Sequence, residues 1–202
     1  MKLLLPFILL CKIEAASAQD STNFIRINFL YGSKPAKGYK ESEKKRFGGI
    51  KGGHVNIEYK GRCLDFSPGG NCHVFPSHKN PNGHFVVNNG VRWDTLKEKS
   101  AYILVPVTSA QADSLQSIFN AYSNKTPYDY AVFGNRCASA SYQALSLIGI
   151  TEKRSATGNV ISNFYPKLLR KKLFKWAKEH NYTLKKFEGR PSRKWEKDEG
   201  WF

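Results

Sequence analysis

"HVNIEYKGRCLDF", residues 54–66, carries the reading of the fold. Its first six residues alternate in the strand period, Lys60-Gly61 makes a turn, and 62–66 reads as the return strand of a hairpin. His54 stands at the start of the first strand, behind "GGIKGG", where two glycines permit a close approach of backbone or substrate. Asp65 lies on the return strand, where its side chain can sit beside that of His54. Glu58 competes for the same place, because positions i and i+4 share one face of a strand.

Outward from the hairpin, 24–32 ("FIRINFLYG") reads as a strand and 34–53 as a long basic loop punctuated by glycine. Residues 67–83 form a second loop, 84–89 a short strand and 101–107 a buried strand. Three helical stretches follow. The first, 109–124, has a Thr108/Ser109 cap and apolar side chains at helical spacing. The second, 137–150, begins at Cys137, and the third lies within 163–180 and is basic on one side. The tail beyond it is polar, with Trp195, Trp201 and Phe202.

The chain of 202 residues is long enough for one domain with a real core, and the expected division is 1–18 as leader and 19–202 as a single domain. Its formal charge of +16 draws anionic partners and says nothing of fold. "MKLLLPFILLCKIEAASAQD" joins a basic residue, a short apolar run and "ASA" before Gln19, the pattern of a secretory signal cleaved after Ala18. The apolar run is too short to span a bilayer comfortably. Alternatives are a buried N-terminal element or a lipid anchor on Cys11, although "ILLC" lacks the small residue wanted before a lipidated cysteine.

Export shapes the cysteine count. Removing Cys11 leaves Cys63, Cys72 and Cys137. Cys63 and Cys72 flank "LDFSPGGN" and are candidates for a disulfide. Cys137 is then left over, either as a reactive thiol or as a small buried hydrophobe. Its position favours the first. At a helix N-terminus, unpaired N–H groups and the positive dipole end stabilise a thiolate, and the same N–H groups can hold an oxyanion. The chain has five histidines, and His54 is the one placed to serve as base.

"GHVNIEYKGRCLDF", followed about seventy residues on by "YDYAVFGNRCASASYQAL", resembles a circularly permuted NlpC/P60 (papain-like) domain, in which the histidine strand precedes the cysteine helix. The YiiX-like and lecithin:retinol acyltransferase-like groups share that order. Asn135, one residue removed from Cys137, resembles the residue those groups place beside the cysteine. The resemblance covers residues 45–150. It implies an α+β fold with a small antiparallel sheet packed against helices. It also implies catalysis by Cys137 and His54, with Asp65 as third group, and no cofactor.

Other constellations weigh less. Cys72, His73, His78 and His84 crowd one loop, but their spacing matches no familiar zinc signature. "CASAS" offers serines without a G-x-S-x-G elbow. "KLLRKKLFKWAK" has the charge of a helix for nucleic acid or membrane, but its bland reading is a solvated face above a packed apolar one. The expectation is therefore an exported, monomeric cysteine hydrolase in the bacterial periplasm or outside the cell. It cleaves an amide bond, foremost in cell-wall peptidoglycan, and binds no nucleic acid. The alternatives are acyl transfer from a lipid ester, or a non-catalytic envelope protein with a structural Cys137.

Overall fold

The computed structural model describes residues 23–39, 52–90 and 93–199. The expected leader with Cys11 and its cleavage point at Ala18 lie outside these residues, as do Trp201, Phe202 and most of the basic loop. The strands are β1 (Asn23–Leu30), β2 (Ser33–Pro35), β3 (His54–Tyr59), β4 (Arg62–Pro68), β5 (Gly83–Asn89), β6 (Ser100–Val107), β7 (Thr183–Phe187) and β8 (Arg193–Trp195). The helices are α1 (Ser109–Asn124), α2 (Cys137–Leu147), α3 (Ala156–Ser162) and α4 (Pro166–Glu179). Six strands form one antiparallel sheet in the order β5-β4-β3-β1-β6-β7, and β2 pairs with β8 in a separate ribbon. The class is α+β, as the sequence implies.

The hairpin forms as its residues require. Lys60 and Gly61 both take positive φ, at 49° and 75°, which is the two-residue turn whose twist suits antiparallel strands. Tyr59 then pairs with Arg62 and Ile57 with Leu64. Alternation sorts the side chains. Ile25, Ile27 and Phe29 of β1 and Val55 and Ile57 of β3 are fully buried in one cluster with Leu115, Phe119, Leu145 and Leu169 from the helices. Each such side chain adds roughly 1.5–3 kcal/mol of burial free energy. Of the intervening positions, Asn28 donates to Asn56 at 3.0 Å and to Glu58 at 3.2 Å.

Helix α1 matches its expected span, closed by a Thr108–Gln111 capping box. Helix α2 ends at Leu147, three residues before the expected end, where Ile148 leaves helical geometry. The polar tail, to which the sequence reading assigned no element, is structured. It forms β7, which joins the main sheet beside β6, and β8, which pairs with β2. The reason is ionic. Arg170, fully buried on α4, is 3.0 Å from Glu196, and Tyr31 donates to Asp198 at 2.7 Å, so the tail neutralises a buried guanidinium. Among the described residues no helix is long and apolar enough to cross a membrane.

Candidate active site

His54 opens β3 because Gly53 lets it. Gly53 has φ +91°, and a Cβ there would collide with the Leu30 carbonyl oxygen, so only glycine fits where β3 meets β1. The His54 ring is 4% exposed. Its Nε2 lies 2.7 Å from Asp65 Oδ1. The ring is also hydrogen-bonded to the Cys137 side chain. His54 is thus a bridge between a thiol and a carboxylate. Trp93 stands edge-on to the ring, with centroids 5.9 Å apart, and limits how it can tilt.

Asp65, not Glu58, meets the imidazole. The β3–β4 register carries Asp65 towards Asn56 and so diagonally onto His54, while Glu58 is held from the other side by Arg26 at 3.8 Å and by Asn28. Asn56 donates to Asp65 Oδ2 at 3.2 Å and Ser67 to Oδ1 at 3.0 Å. Burial alone would raise the Asp65 pKa, but His54, Asn56 and Ser67 outweigh it and hold the carboxyl below its usual value. Burial alone would likewise lower the His54 pKa. The charges of Cys137 and Asp65 overcome that and push it up to about 10, which favours the imidazolium.

Cys137 is the first residue of α2 and 3% exposed. The helix start is fixed from within: the Arg136 backbone N–H donates to Ser139 Oγ at 2.9 Å, and Ser139 donates back to the Arg136 carbonyl at 3.1 Å. Ser141 donates to the Val55 carbonyl at 3.4 Å and ties α2 to β3 one residue after His54. The Cys137 backbone N–H meets the Tyr130 hydroxyl oxygen. Burial and the nearby Cys137 charge keep the Tyr130 phenol far above its usual pKa, so it stays protonated and has an O–H to donate.

His54, Tyr130 and Cys137 line one cleft of about 340 Å³, together with Gly52, Cys72, Arg136, Tyr165 and Pro166. Arg136 stacks on the Phe164 ring at 3.7 Å and donates to the Phe164 carbonyl, which sets a fixed positive charge at the rim. Tyr130, Trp93, Asn56 and Ser67 are site residues that the sequence reading did not single out. Asn56 and Ser67 carried a signal, since each lies two residues from a predicted site residue on the same strand face. Trp93 and Tyr130 reach the site from loops and carried none.

The remaining expectations divide. Cys63 and Cys72 are not bridged, against the expected disulfide. Cys63, the second residue of β4, is buried, and burial and Glu58 push its thiol up to about 12, whereas Cys72 is exposed on the following loop. The loop histidines do not gather. His73 Nδ1 lies 2.6 Å from Asp129, and among the described residues no three His, Cys, Asp or Glu side chains are grouped to hold a metal ion. Asn135 contributes backbone, its carbonyl accepting from Ala131 N–H at 3.2 Å. No family model matches the chain, and neither a curated protein nor a solved structure matches it.

Proposed function

We propose that the chain is a cysteine hydrolase of the permuted NlpC/P60, papain-like type, with Cys137 as nucleophile, His54 as general base and acid, and Asp65 as the group that orients His54. The single observation behind this reading is the His54 ring held between the Cys137 thiol and Asp65 inside an open cleft. The thiol proton passes to the ring, and the ion pair so formed is stabilised by Asp65. The thiolate attacks a carbonyl carbon, forming a C–S bond and a tetrahedral oxyanion. The Cys137 N–H and the Tyr130 O–H are the donors for that oxyanion, with the carbonyl oxygen displacing the Tyr130 oxygen from the N–H. His54 returns the proton to the leaving amine as the C–N bond breaks. Water, deprotonated by His54, then hydrolyses the thioester.

The preferred substrate is an amide bond of an anionic cell-wall peptide, met after export by a strongly basic chain. A second reading, release of an acyl group from a lipid ester through the same thioester, is favoured by the aromatic rim at Phe164 and Tyr165. Incubating the protein with purified peptidoglycan and with phospholipid separates the two by their products. Failure of iodoacetamide to label Cys137, together with no product from either substrate, would sink both and leave a non-catalytic envelope protein.

A further inference from the structure

Nine large apolar side chains are exposed among the described residues; Tyr165, at 37%, walls the cleft, and Val74 at 57%, Phe75 at 69%, Phe133 at 58% and Ile161 at 69% lead away from it. They are one surface. Phe75 stacks on Phe133 with centroids 5.3 Å apart, Phe133 leans on Phe164 at 6.4 Å, and Phe164 meets Tyr165 at 4.7 Å. Ile161 shares a groove with Phe133 and Phe164. Tyr165 is also a wall of the Cys137 cleft, so the ridge runs from a loop tip to the mouth of the site.

The ridge is built to stay exposed. Phe133 N–H donates to the Val74 carbonyl at 2.9 Å and Val132 N–H to the His73 carbonyl at 2.7 Å, which lock the two loop tips together. Buried Asp129 accepts from Ser77 N–H at 2.8 Å and from Asn82 N–H at 2.7 Å, and anchors the base of the 73–82 loop. Rigid anchoring prevents these aromatics from folding inward to bury themselves. A contiguous apolar patch held out in this way marks an interaction surface.

We infer that this ridge docks on an anionic lipid bilayer and sets the Cys137 cleft at headgroup level. The occupant follows from exposure and charge. Val74, Phe75 and Phe133 are each more than half exposed on the two joined loops, which suits insertion into the yielding headgroup–acyl boundary. The edge is cationic: Arg136 stacks on the ridge itself, Lys79 follows the groove residue His78, and Lys153 and Arg154 line an adjoining pocket that shares Ala156 with the groove, with Glu152 beside them in sequence. Behind it stands a chain of formal charge +16. Apolar insertion and attraction to anionic headgroups are the two contributions that interfacial binding combines. The inference is independent of the chemistry, because docking requires neither Cys137 nor His54.

The test is co-sedimentation of the full chain with phosphatidylcholine vesicles, with and without phosphatidylglycerol. The expected result is binding to the mixed vesicles that weakens with salt and falls by more than about tenfold in the Phe75→Ser/Phe133→Ser double variant. Iodoacetamide labelling of Cys137 should be unchanged in that variant, which shows that the fold and cleft are intact. Should the double variant fail to fold, Ile161→Ser alone reads the same surface. No binding to mixed vesicles at low salt overturns the inference, as does a folded double variant that binds like the parent. Self-association lost in the double variant, without vesicle binding, overturns it in favour of a second copy of the chain covering the ridge.

Discussion

At the residue scale, the proposed mechanism rests on His54 and its two partners, and it predicts unequal losses for the three. In that mechanism Cys137 supplies the only atom that forms the covalent intermediate, so turnover should vanish in Cys137→Ala. Because the residue is 3% exposed, some stability goes too, about 1 kcal/mol. His54→Ala should cost on the order of 10²–10⁴ in kcat/KM, and Asp65→Ala less, since the ring still reaches the thiol without it. Steady-state kinetics of the three variants on the same substrate checks the order. The raised pKa of His54 also fixes a pH dependence. A group whose folded pKa lies above its ordinary value near 6.5 contributes stability that is fully present below that value and is lost as pH rises towards about 10. Urea denaturation of the parent and of His54→Gln should therefore differ most near and below neutrality and converge in alkali. Asp65, held below its usual value, makes its contribution above the carboxylate range and loses it in acid.

At the element scale, the 73–82 loop depends on one carboxylate. Asp129 is 5% exposed and takes three donors, from His73, Ser77 and Asn82. Burial works against its ionisation, but these donors hold its pKa down at about 2. Asp129→Asn replaces one acceptor oxygen by a second set of N–H groups facing N–H donors, at a cost of about 1–3 kcal/mol. Since the pKa is depressed, the parent enjoys this contribution above the ordinary carboxylate value and loses it as pH falls towards 2. The melting temperatures of parent and variant should thus differ at neutral pH and approach each other in strong acid. A difference that persists at low pH would show that the carboxylate charge is not what holds the loop.

At the scale of the whole molecule, the C-terminal segment closes the fold onto the N-terminal strand. Glu196 N–H donates to the Gly32 carbonyl at 2.8 Å, its carboxylate faces fully buried Arg170 at 3.0 Å, and Arg170 stacks over Tyr31 at 3.7 Å. Glu196→Ala leaves the Arg170 charge buried beside only the more distant Asp198 at 3.7 Å, and should cost about 3–5 kcal/mol. Chemical denaturation reads this as a lower midpoint with an unchanged slope. A variant as stable as the parent would show that β7 and β8 are a passenger on the sheet and not its clasp.

The local pattern of the chain already determined much of this. Alternation with the Lys60-Gly61 turn set the hairpin, the Thr108 cap and helical spacing set α1, and the turn before Cys137 set the start of α2, because these are interactions between near neighbours. The pairing of His54 with Asp65 was legible for the same reason, as both lie on one hairpin. The choice against Glu58 was not, because Arg26 and Asn28 on β1 hold that side chain away. Tertiary structure alone decided what long loops deliver: Tyr130 to the Cys137 N–H, Trp93 to the His54 ring, Cys72 to the cleft wall away from Cys63, and the polar tail to a buried arginine. None of these has a sequence period, since each contact joins residues whose separation along the chain is set by loop closure and charge burial, and those act only once the sheet has formed.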